Sequence, residues 1–139
     1  MSGAMDESPL LEVQELGYSY GTRAACAGIT FDLYPGEVLA VVGESGSGKT
    51  TLLRCISGQL RPDEGRVLFQ TRAGEIADVW AVSEASRRLL TRTDWGFVHQ
   101  NPRDGLRTDV SAGANIGERL MAIGARRYGN IRQEATAWM

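Results

Sequence analysis

An aliphatic run, Val38–Val42, leads straight into the octapeptide GESGSGKT, Gly43–Thr50, and this junction restricts the fold more than any other feature. Val38–Val42 is rich in β-branched residues and lacks polar alternation, the pattern of a central strand covered on both faces. The glycines at 43, 46 and 48 let the backbone curl so that successive N–H groups point inward. A helix is expected from about Lys49 to Ser57, with Gly58 as its stop. In this order the three elements form an anion cradle. The helix contributes unpaired N-terminal amides and the positive end of its dipole.

The octapeptide satisfies G-x-x-x-x-G-K-[ST] at every fixed position, which points to a nucleoside triphosphate. Lys49 is the single lysine of the chain; every other residue in the Lys+Arg count of 15 is arginine. An ammonium on a flexible stem can reach between β- and γ-phosphate oxygens, where a planar guanidinium fork would not fit inside the closed loop. Gly43, Glu44, Ser45, Gly46, Ser47 and Gly48 are therefore nucleotide-binding candidates. Lys49 is both a binding and a catalytic candidate. Thr50 places a hydroxyl where it can bind the phosphates and ligate a bridging Mg²⁺.

Size and composition exclude several alternatives. The 139 residues suit one domain or a piece of a larger one, and 42% hydrophobic with 23% charged residues argues for a packed core. A net charge of -2 gives no reason to expect nucleic acid as a partner. The aliphatic run is far too short to insert in a membrane, and Met1–Leu11 lacks the basic and apolar regions of a secretory signal. A cytoplasmic protein is expected. Cys26 and Cys55 read as reduced thiols packed like small hydrophobes.

The remaining elements follow from pattern. Residues 11–20 and Ile29–Leu33 read as strands, and Pro35–Gly36 as a turn. After a second turn at Pro62–Gly65, Arg66–Gln70 is a further strand. Ser83–Leu90 is a helix that Ser83 could cap, although Ser86 stands where a capping box would have Glu. Trp95–His99 returns to strand character. Beyond Ser111, the spacing of Ile116, Leu120 and Ile123 predicts a helix, and residues 131–139 predict another.

Tyr20, the block ITFDLYPGEVLAVVGESGSGKTTLL, then ISGQLRPDEGRV and FVHQNP together resemble the ATP-binding-cassette (ABC) ATPases. The resemblance implies an α/β P-loop NTPase fold. Its β-rich core spans about 10–100, and a helical subdomain begins at about 101–139. It implies ATP and Mg²⁺ as ligands, with Tyr20 stacking on adenine and Thr51 adding a contact to the α-phosphate. Gln100 becomes the Q-loop glutamine, which senses Mg²⁺ and the attacking water, and so a metal-binding and catalytic candidate. Residues 82–139 are similar to the cassette subunits of bacterial carbon–phosphorus lyase systems. That similarity implies ATP binding during phosphonate breakdown, a homodimer with nucleotide sandwiched between subunits, and docking on the lyase core complex. The alternatives are the ATP-binding subunit of an oligopeptide- or nickel-type importer, docked on a membrane permease, and a non-catalytic fragment acting as an interaction module.

Departures from the family pattern bear on the activity. The LSGGQ-type signature, the strand ending in Asp-Glu and the switch histidine do not occur. His99 directly precedes Gln100, upstream of the switch position. Asp94, Asp104 and Asp109 read as solvated loop residues rather than as a base. The chain is thus expected to be the N-terminal part of a protein nearly twice as long, binding nucleotide weakly and hydrolysing none alone. Without the Asp-Glu strand, Val38–Val42 would lose a neighbour and leave backbone unpaired. Arg87–Arg88 and Arg126–Arg127 read as solvated helix faces. The second pair, with Tyr128, is the better docking candidate.

Overall fold

The structure is a computed structural model that describes residues 8–138. Residues 1–7 and 139, which include most of the N-terminal stretch read for a signal and the last residue of the expected final helix, lie outside it. The chain divides into two compact units, Met1–Arg87 and Arg88–Met139.

The first unit is built on a four-stranded antiparallel sheet in the order β2-β1-β3-β4. Its strands are β1 (Leu11–Tyr20), β2 (Arg23–Leu33), β3 (Glu64–Gln70) and β4 (Ile76–Asp78). Helix α1 (Lys49–Ile56) packs on β1 and β2. Alternating residues of β1 and β3 turn Val13, Val67 and Phe69 inward, where they join Leu16, Leu52, Cys55 and Val79 in the core. The strand β1 is bent at Glu15, the only non-glycine with positive φ among the described residues (46°). The Glu15 amide donates to Thr30 Oγ1 at 2.9 Å, and that hydroxyl donates to Glu15 Oε1 at 3.1 Å. Gly65 of β3 crosses this bend with φ 89°; a Cβ there would lie 2.5 Å from Gln14 O and Leu16 Cα.

Two expected strands are absent. Residues 38–42 and 95–99 belong to no sheet, and Val38 is 95% and Val42 87% exposed. An apolar run becomes a strand only when another backbone pairs with it, whatever its intrinsic preference. Strands β1–β4 pair among themselves, and none pairs with either run. Conversely, β2 begins earlier than its alternating stretch, because Arg23, Ala24 and Cys26 pair with the far end of β1.

Helix α2 (Glu84–Thr93) begins as expected, with the Ser86 amide donating to Ser83 Oγ at 3.1 Å. The solvated reading of Arg87 is corrected. Its guanidinium stacks 4.7 Å from the Trp80 ring centroid, and Trp80 Nε1 donates to Cys55 O at 2.9 Å. The indole therefore caps the C-terminal end of α1.

The second unit contains a short 3-10 turn (Pro102–Gly105), α3 (Ala112–Ala122) and α4 (Tyr128–Ala137). Asn101 opens the turn by accepting from the Arg103 amide at 3.1 Å. Gly117 is buried where α3 meets Ile131 of α4. Arg119 donates to the carbonyls of Arg92 and Thr93, closing the end of α2. Arg126 donates to Met121 O at 3.1 Å and so caps α3, which leaves it less available for docking than its sequence position implied. Ser111 is the N-cap of α3, its Oγ accepting from the Ala114 amide at 3.2 Å. Ser111→Ala should cost about 1 kcal/mol of stability, measured by urea unfolding; an unchanged midpoint would refute the capping role.

Candidate functional site

The phosphate-loop candidates are held between the end of the β1–β2 hairpin and the N-terminus of α1. Ser47 N donates to Glu44 O at 3.2 Å, closing a turn inside the loop. Gly48 is the N-cap of α1, with φ 90° and no side chain capping the helix; no acidic residue occupies the first turn. The first amides of α1 therefore keep their donor capacity for an outside acceptor. Lys49 folds back over the loop. Its Nζ donates to Gly43 O at 2.7 Å, Glu44 O at 2.5 Å and Ser47 Oγ at 3.3 Å. One ammonium thus gathers both ends of the loop around itself.

The hairpin meets this loop at two points. The register of β1 against β2 skips Ala25, pairing Tyr18 with Cys26 and Ser19 with Ala24. The bulged Ala25 turns its carbonyl oxygen into the space that a side chain at position 48 would need: a Cβ on Gly48 would lie 1.9 Å from it. Second, Tyr20 Oη lies 3.4 Å from Thr51 Oγ1, a long hydroxyl contact. Thr51 is only 8% exposed, whereas Thr50 beside it is exposed and free to face a ligand.

The structure brings Tyr20 and the segment from Gly43 to Thr51 together in the first unit. Gln100 is exposed and lies in the second unit, just before the Asn101 cap. His99 packs edge-on against Phe97, with centroids 4.8 Å apart. Asp109 forms an exposed ion pair with Arg107 at 3.4 Å. Both thiols are free. Burial, with Cys26 and Asp63 adding, pushes the Cys55 thiol up to about 11, so it stays protonated. Among the described residues no group of three or more His, Cys, Asp or Glu side chains could hold a metal ion. No described helix is long and apolar enough to cross a membrane.

Sequence reasoning missed two contributors to the site. The Ala25 carbonyl acts through a bulge, which leaves no mark on residue type. Tyr18 could have been found, since it shares a face of β1 with Tyr20 at strand spacing.

Comparison with known proteins bears on the family and the fold. The family model for ABC transporters matches residues 26–139. PhnK of Escherichia coli (strain K12), named as a phosphonates utilization ATP-binding protein, is 55% identical over 131 residues, covering 94% of this chain and 50% of PhnK. The dipeptide transport ATP-binding protein DppD of Bacillus subtilis (strain 168) is 35% identical over 121 residues, covering 81% of this chain and 35% of DppD. The ATP-binding cassette MJ0796, solved as a dimer in a post-hydrolysis state bound to ADP and Pi, superposes with a TM-score of 0.78 at 23% identity. That superposition covers 91% of this chain and 54% of the cassette, and it establishes a shared fold. The chain spans about half the length of PhnK, or less of DppD. With the family model matched over most of its residues, the chain belongs to the ABC transporter family of ATP-binding cassettes.

Proposed function

We propose that this chain binds ATP through Gly43–Thr50, as the ATP-binding part of a cassette subunit serving phosphonate utilisation. One observation carries the nucleotide reading: a lone ammonium is gathered by Gly43 O, Glu44 O and Ser47 Oγ over a helix N-terminus that no side chain caps. Binding would exchange those acceptors for β- and γ-phosphate oxygens, while the backbone amides of Gly46, Gly48 and α1 receive the remaining charge. In this reading Glu44, Ser45 and Ser47 form the loop that faces the phosphates, and Thr51 would add a contact to the α-phosphate.

The residues present fit Mg²⁺ only as an ion held mainly by phosphate and water. Thr50 offers an exposed hydroxyl, to which the family resemblance would add the Gln100 amide oxygen, and among the described residues no carboxylate cluster could hold the ion. When bound, the ion would neutralise charge between the β- and γ-phosphates. This chain's own part is to orient the triphosphate with Lys49 and the loop amides. Hydrolysis, a general base and a nucleotide-sandwich dimer belong to the whole protein in this reading, with Gln100 linking nucleotide to partner. In this reading residues of about 10–100 belong to the core of the cassette domain and those of about 101–139 begin its helical subdomain, a functional division distinct from the two compact units.

The name of PhnK supports the phosphonate assignment; docking on a soluble carbon–phosphorus lyase complex in the cytoplasm is the further part of this proposal. The identity to DppD favours a second reading, an importer subunit docked on a permease. Co-purification without detergent with a soluble lyase core supports the first; recovery only with a membrane permease would sink it.

The nucleotide reading is tested by titrating the protein with MgATP. Lys49→Ala should weaken binding at least about tenfold, compared at a temperature where both proteins are folded. Undiminished affinity in that variant would refute the site.

A further inference from the structure

We infer that Tyr18 and Thr51 are positioning residues for Tyr20, so that the base-binding ring of the nucleotide site is aligned to the phosphate loop before ligand arrives; this rests on the nucleotide reading above. Tyr20 ends β1 and is 54% exposed, which leaves ring surface open to a flat heterocycle. The rest of the side chain is held. Tyr18, two residues earlier on the same strand face, meets it at 4.9 Å between centroids and 80° between planes. In that geometry the positive rim of one ring faces the negative surface of the other. At the far end of the ring, the Tyr20 hydroxyl stands 3.4 Å from that of the buried Thr51. Between the two rings, the Ser19 amide donates to Asp63 Oδ2 at 2.7 Å and pins the backbone.

These contacts fix the Tyr20 ring relative to α1, whose first turn carries Lys49 and Thr50. A ring ordered in advance loses little rotamer freedom on binding, which favours ligands that carry a base and does nothing for those that do not. Loss of Tyr18 should therefore be felt by ATP and not by a bare triphosphate chain.

The test titrates the protein with MgATP and, separately, with magnesium tripolyphosphate. Tyr18→Leu should weaken ATP about 2- to 12-fold and leave tripolyphosphate unchanged. Tyr18→Phe, which keeps the ring, should restore ATP affinity. Tyr20→Phe, which keeps the stacking surface but removes the hydroxyl facing Thr51, should show the ATP-only loss in milder form. Equal weakening of both ligands by Tyr18→Leu would mark a merely structural role and overturn the inference, as would unchanged ATP affinity. If the unaltered protein bound neither ligand, the nucleotide reading would fail and this inference with it. If it bound both equally, only the base platform and its positioning would fall.

Discussion

Gly65→Ala is expected to lower the stability of the first unit by about 3 to 5 kcal/mol, read as a fall of roughly 15 to 30 °C in its thermal midpoint. Two independent penalties meet at this residue. Its φ of 89° is left-handed, where an L side chain costs about 1 to 2 kcal/mol. The new methyl would also collide with Gln14 O, Glu15 C and Leu16 Cα, all within 2.6 Å. These are backbone atoms of the neighbouring strand, so no rotamer change relieves them, and the bend at Glu15 would have to open. Gly74→Ala is the matched control: its φ is 82°, but nothing lies within 4 Å of the added carbon. It should lose only the backbone part. If the two variants melted together, close packing at the bend would not be what requires glycine.

Gly48→Ala should be comparably damaging, and it should remove nucleotide binding as well. Its φ of 90° carries the same conformational penalty, and the Ala25 carbonyl oxygen would sit 1.9 Å from the new carbon. Relief requires either the Ala25 bulge to withdraw or α1 to tilt. Each movement separates Tyr20 from Thr51 and turns the first amides of the helix away from the loop. We expect about 3 to 5 kcal/mol lost on unfolding and at least about a hundredfold loss of ATP affinity at a temperature where the variant is still folded. Gly46→Ala, with φ 81° and open space around it, should lose only about 1 to 2 kcal/mol on unfolding. A Gly48→Ala protein that bound ATP normally would show that the bulge and the loop are not mechanically joined.

The local elements were largely legible because their causes are local. Ser111 before a helical spacing marks α3, Gly58 marks the end of α1, and the octapeptide marks a loop and a helix start. The misreadings have a common origin. Residues 38–42 and 95–99 have the composition of strands, but composition records a preference, and pairing depends on another stretch of backbone. The converse error hid β4, since Ile76–Asp78 is too short to show alternation and exists because β3 lies beside it. Of the site, the motif residues were plain, whereas their packing reason was not. Gly48 could be recognised as part of a pattern, but the carbonyl that excludes every other residue there comes from a bulge remote in sequence. Arg87 looked like surface charge because nothing in its neighbourhood announces Trp80 as its partner.

The indole of Trp80, hydrogen-bonded to the last turn of α1 and covered by Arg87, makes that helix a strut fastened at both ends. At one end the Ala25 carbonyl fills the place of a side chain at Gly48; at the other the indole holds the Cys55 carbonyl, about 10 Å away. A strut so fastened cannot absorb a displacement by fraying. If the loop shifts on taking up a triphosphate, as the proposed function implies, the displacement is expected to reach Trp80 and to be read as a change in its fluorescence. Under the proposed function Trp80 would serve as an optical gauge at the end of α1 opposite Lys49.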